Sequence, residues 1–123
     1  MNYRPTPKEQ QHYYLGCERI SLTLTLIPIG KRDLSCTLFG GQAHIGAVAV
    51  GAKNEVDQFE INLIEVYHHR EGPIAKYICQ ELCQAYGCSV VTTVGIHFDK
   101  ITKKEIDIVC DLSKKLLLSA LDQ

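Results

Sequence analysis

Ile20-Ser21-Leu22-Thr23-Leu24-Thr25-Leu26 alternates branched apolar side chains with hydroxyls. A period of two belongs to an extended strand with one face buried and the other turned to water. After the polar turn Gly30-Lys31-Arg32-Asp33 the alternation resumes at Leu34, Cys36 and Leu38, which predicts a hairpin closed at Gly40-Gly41. A third strand is expected from His44 to Ala52. Its small residues Gly46, Ala47, Ala49 and Gly51 allow a ligand or another backbone to approach, and imply a flat surface. Gln58 to Val66, with Phe59, Ile61 and Leu63 on one face, reads as the fourth. Four successive strands with short links favour an antiparallel meander.

Beyond Gly72-Pro73 the period changes. Ile74, Ile78, Leu82 and Ala85 fall at helical spacing, Pro73 suits a first turn and Gly87 a stop, so a helix is predicted over 73–86. Cys88 to Phe98, rich in Val, Thr and Ile, is a fifth, largely buried strand. Thr102-x-x-Glu105 is a capping box that opens a last helix, where Ile106, Val109, Leu116, Leu117, Ala120 and Leu121 form the apolar stripe. Leu112 and Leu118 lie off that stripe and suggest a second apolar contact, such as a homodimer interface. The expectation is a two-layer α+β fold, ββββαβα, with a mostly antiparallel five-stranded sheet and both helices on one face. The other face would carry Ser21, Thr23, Thr25, Ser35, Thr37 and Thr93. Residues 1–16, with Pro5 and Pro7, read as a loose arm before a single domain at 17–123.

At 123 residues one hydrophobic core is expected. Thirteen basic against 14 acidic side chains leave a net charge of −1, which gives no bulk attraction to nucleic acid or to an anionic membrane. No apolar run approaches the roughly 20 residues that span a bilayer, and the first residues lack a secretory apolar stretch, so a cytoplasmic location is expected. Six cysteines in that setting are read as free thiols. Cys79, Cys83 and Cys88 lack the tight C-x-x-C pair that a zinc site prefers.

His44, His68, His69 and His97 all fall at predicted strand ends. The stretch His68-His69-Arg70-Glu71-Gly72-Pro73 precedes a helix, whose free N–H groups and dipole favour phosphate or carboxylate, with Arg70 and the imidazoles adding donors. The enzyme reading of the same residues is a metal-dependent hydrolase with His44, His68 or His69, His97 and Asp99 as ligands. No H-e-x-x-H or other local ligand motif supports it, so the fold would have to assemble the whole set. A pure protein-assembly chaperone is a third reading.

Three segments, His44-Ile45-Gly46-Ala47-Val48-Ala49, His69-Arg70-Glu71 and Gly95-Ile96-His97-Phe98-Asp99, together resemble the prenylated-flavin chaperone family, which includes the small D subunit associated with bacterial gallate decarboxylase. The resemblance runs from about Gly40 to the C-terminus. It implies a small α+β protein, similar in outline to proteasome-assembly chaperones. Such a protein would bind prenylated FMN or FMN and deliver it to a UbiD-type decarboxylase without catalysing decarboxylation itself. On the matched positions, His44 and the Gly46 backbone would lie against the cofactor, His69 and Arg70 with Glu71 beside them would suit its phosphate, and His97 with Asp99 would complete the pocket. An FMN-like ligand needs an anion site, a flat surface and polar groups at the ring edge, and these segments could supply them.

Overall fold

The computed structural model describes residues 2–67 and 70–122. Eight elements follow one another: β1 (Gln11–Cys17), β2 (Ile20–Ile29), β3 (Asp33–Gly41), β4 (Ala47–Lys53), β5 (Phe59–Glu65), α1 (Gly72–Tyr86), β6 (Val90–His97) and α2 (Lys103–Leu121). The strands form one sheet in the order β1-β2-β3-β6-β4-β5. The fold is α+β, but the expected mostly antiparallel five-stranded sheet is corrected in two ways.

First, residues 11–16 of the expected arm belong, with Cys17, to strand β1, paired antiparallel with β2 so that Tyr13 faces Leu24 and Leu15 faces Leu22. The preceding segment is tethered as well. Arg4 N–H donates to Ala85 O at 2.9 Å, and the Tyr3 ring lies where a Cβ at Gly87 would be. Second, β6 inserts between β3 and β4, parallel to β3 and antiparallel to β4. A strand flanked on both edges and apolar along most of its length belongs in the middle of a sheet, not at its margin.

The registers align one row across the whole sheet: Tyr13, Leu24, Leu38, Val94, Ala47 and Glu65. The four inner members of that row are fully buried, each leucine contributing about 2 kcal/mol by leaving water. Both helices cover this face, α1 over β4, β5 and β6, α2 over β1 and β2. The small residues of β4 serve this packing. Ala47 and Ala49 are buried, and a Cβ at Gly51 would overlap Cys83 Sγ. The close approach expected at this strand is therefore made by α1.

α1 ends at Gly87, whose φ of 64° is the left-handed cap that glycine favours. The α2 stripe is shifted from the expected one. Val109, Leu112, Ser113, Leu116, Leu117 and Ala120 are buried, whereas Ile106 is 47% and Leu118 57% exposed. Leu112 thus belongs to the core rather than to a second contact. Cys36, Cys79 and Cys83 are buried, Cys88 half-buried, and Cys17 and Cys110 exposed, all as free thiols. Burial pushes the Cys88 thiol up to about 11, away from the thiolate that reacts.

The α2 capping box forms as expected: Glu105 N–H donates to Thr102 Oγ1 at 3.1 Å, and Thr102 N–H to Glu105 Oε1 at 3.1 Å. Arg19, in the β1–β2 turn, grips the same carboxylate through Nε at 2.5 Å and Nη2 at 2.9 Å. The Arg19 guanidinium, and behind it the Thr102 main chain, hold the Glu105 carboxyl down at about 2. A carboxyl depressed on folding adds stability above its ordinary value, and that stability disappears as pH falls through the depressed one. The melting-temperature gap between the parent and Glu105→Gln is therefore expected to be full above pH ~5 and to close towards pH ~2. Melts across that range check it, and a gap independent of pH would contradict the linkage.

Candidate functional site

Topology brings the candidate residues to one end of the sheet. β3 and β6 run parallel and end together at Gly41 and His97, while β4 begins and β5 ends beside them, Ala47 facing both Val94 and Glu65. Residues 42–46 connect β3 to β4 across this end, and α1 starts beside it. His44, Ile45 and Gly46 precede β4 rather than opening it, a correction to the expected third strand.

Glycines shape the crossing. Gly41 has φ of 64°, and a Cβ there would strike His97 O. Gln42 N–H donates to that same carbonyl at 3.0 Å. Gly95 is buried in β6, and a Cβ on it would overlap the main chain of His44, its carbonyl oxygen most closely. Since Val94 faces the helices, Gly95 and His97 face the opposite side by alternation, so the 42–45 segment passes over the helix-free face.

His44 is held at both ring nitrogens, Nδ1 3.0 Å from Gln42 O and Nε2 3.1 Å from Glu71 Oε2. Side chains are 24% exposed for His44 and 12% for Glu71, so the pair is largely sheltered. Glu71 is the N-cap residue of α1 but makes no side-chain cap bond to that helix. Its carboxylate turns back instead, accepting from Arg70 N–H at 3.2 Å and reaching His44. The space it fills exists because residue 46 is glycine: a Cβ there would overlap Glu71 Oε2. Gly46 N–H donates to Val94 O at 2.9 Å and its carbonyl accepts from Val66 N–H at 2.8 Å.

His97 lies edge-on to His44, ring centroids 6.3 Å apart at 80°, with Nε2 3.1 Å from Asp99 Oδ1. Asp99 is itself 83% exposed, so solvent competes for this hydrogen bond. Behind it, Arg19 Nη2 donates to Asp99 O at 2.7 Å, and the guanidinium lies 5.9 Å from the Phe98 ring centroid. The β6–α2 turn is thereby braced to the β1–β2 turn.

Among the described residues, Gln42, Ala43, His44, Ile45 and His97 line a shallow cavity of about 340 Å³. Of the sequence candidates, His44 and His97 line it directly, Glu71 and Asp99 each hold one of the two imidazoles, and Gly46 packs against Glu71. Arg70 is exposed and joins the cluster through its main-chain N–H. His68 and His69 lie outside the described residues. No group of three or more His, Cys, Asp or Glu among the described residues could hold a metal ion. Sequence reasoning missed Gln42, Ile45, Gly95 and Arg19. Gly95 carried a signal, being a glycine within an otherwise branched strand, whereas Gln42 and Arg19 act through turn geometry that leaves no pattern.

Comparison with known proteins agrees with this architecture. No curated protein matches the chain closely enough to extend it. A crystal structure of a chaperone complex for yeast 20S proteasome assembly is 10% identical. It aligns with 91% of this chain and 97% of its own, with a TM-score of 0.58, so the likeness concerns the fold. No helix among the described residues is long and apolar enough to cross a membrane. Residues 16–123, which contain every element from β2 onwards and the whole histidine cluster, match the family model described as the prenylated flavin chaperone LpdD-like domain, and the chain belongs to that family.

Proposed function

We propose that this protein binds prenylated FMN, or FMN, at the histidine-lined end of its sheet and hands it to a UbiD-type decarboxylase in the cytoplasm. The observation that carries this reading is the convergence of the matched segments on one cavity: residues 44–49 and 95–99 meet there, with Glu71 reaching in from the start of α1. The residues fit the group in kind. Two imidazoles and Ile45 suit the edge and face of a flat ring, and Arg70 beside the α1 start suits a phosphate. A volume of about 340 Å³ lies near the bottom of the usual range for ligand pockets, about 300–1,000 Å³. A flavin held there would keep part of its surface accessible, as a carrier that must release its cargo requires.

The flavin would supply its decarboxylation chemistry in the acceptor enzyme, so this chain has only to bind, orient and shield it. Glu71 and Gln42 fix the His44 ring and Asp99 orients His97, which keeps the cavity wall preorganised. Mixing the purified protein with prenylated FMN is expected to give a stoichiometric complex with a changed visible spectrum. Adding that complex to a flavin-free UbiD-type decarboxylase is expected to restore activity. A chain that binds no flavin would overturn the proposal.

A further inference from the structure

Two surface turns meet beside the histidine cavity, and one side chain holds them together. Glu18 and Arg19 alone join β1 to β2, while residues 98–102 join β6 to α2. Among the described residues three other than glycine have positive φ, and two of them lie in these turns: Glu18 at 54° and Lys100 at 51°. Left-handed backbone is costly for a residue with a side chain, and it persists where surrounding contacts over-determine it. Here those contacts are specific. Arg19 Nε and Nη2 take both oxygens of Glu105, Nη2 also donates to Asp99 O at 2.7 Å, and Lys104 Nζ lies 3.6 Å from Glu18 Oε1. Each of these contacts crosses from the first turn to the second or to the helix that follows it.

The grip reaches the cavity wall by two routes. Asp99 Oδ1 lies 3.1 Å from His97 Nε2, so a displaced Asp99 main chain would carry off the acceptor that orients the His97 ring. The Arg19 guanidinium also lies 5.9 Å from the Phe98 ring centroid, within cation–π reach. Phe98 in turn fills the space beside Gly40 and Gly41, where a Cβ would come within 3.4 and 3.1 Å of its ring. Gly41 leads into the segment that carries His44. A guanidinium suits this task because its donors fan out in one rigid plane, so a carboxylate and a carbonyl are reached from a single group.

We infer that Arg19 is a positioning residue for the cavity, setting the His97 ring by fixing the turn that carries Asp99. It does not line the cavity itself. Its effect on ligand affinity rests on the flavin reading proposed above: a wall ordered before binding loses less conformational entropy when the ligand arrives. Its effect on His97 does not depend on that reading.

Nuclear magnetic resonance of the His97 ring in the ligand-free protein, paired with flavin titrations, tests the inference. Arg19→Lys keeps a cation for Glu105, but an ammonium is a point charge with no second group to hold Asp99 O. The His97 ring resonances of this variant are expected to move towards those of Asp99→Ala, and its flavin affinity to fall about tenfold. Val109→Ala, a core truncation further along α2, is expected to lower the melting temperature at least as far while leaving the His97 resonances and the flavin affinity as in the parent. Parental His97 resonances in Arg19→Lys, or the same displacement in Val109→Ala, would overturn the inference. Because the resonances are read without ligand, a parent that binds no flavin would overturn the function proposed above and leave this comparison to decide the role of Arg19.

Discussion

A Gly95→Ala variant should fail to bind flavin and should melt about 10 °C below the parent. The methyl group would have to occupy the position of the His44 main chain, at a buried point of the central strand β6. Neither side can yield cheaply. β6 is held on both edges by β3 and β4, and the 42–46 segment is pinned by Gln42 N–H on His97 O and Gly46 N–H on Val94 O. Overpacking of this kind costs about 1–3 kcal/mol, which for a domain of this size corresponds to roughly 4–12 °C. The cavity suffers more than the fold, because displacing His44 separates it from both Gln42 and Glu71. Thermal melts and flavin titrations of the same preparation check both halves. A variant that melts and binds like the parent would show that the loop can be rebuilt without loss.

Gly46→Ala should behave differently. The atom in its way is the far end of the Glu71 side chain, which can swing aside, so stability should fall by no more than about 1 kcal/mol. Glu71 would nevertheless leave His44 Nε2, and flavin affinity is expected to fall about tenfold, or about 1.4 kcal/mol. Glu71→Ala should produce the same loss, and the double variant should be no worse than either single one. Non-additivity of that kind is the signature of one shared interaction. If the flavin instead touched the Gly46 backbone directly, as the family resemblance alone implies, the two losses would add. The sheet bonds made by the Gly46 N–H and carbonyl favour the first outcome.

Much of the fold is legible in the sequence because burial follows period. Ile20, Leu22, Leu24 and Leu26 are buried as their alternation requires, and α1 starts and stops at the glycine and proline signals. What periodicity does not carry is which strands pair. Cys88 to Phe98 reads as a buried strand, and its place between β3 and β4 becomes visible only when residues far apart in the chain meet, as Leu34 meets Val90 and Ala47 meets Val94. Strand β1 is hidden for another reason. An edge strand buries its inward residues only partly, so Tyr13 and Leu15 alternate with little contrast among polar neighbours. The site follows the same division. The histidines are legible as strand ends, and parallel pairing of β3 with β6 is what brings His44 and His97 within ring contact. The role of Gly46 as space for a carboxylate 25 residues away has no local signature.

The central claim is that the histidine end of the sheet holds the flavin, and the most direct test is a titration of the isotope-labelled protein with prenylated FMN, followed by amide chemical shifts. The account predicts saturable shifts concentrated at residues 42–46, 70–75 and 95–99. Shifts confined to the opposite end of the sheet, around residues 30–33 and 87–89, or no shifts at all, would contradict it.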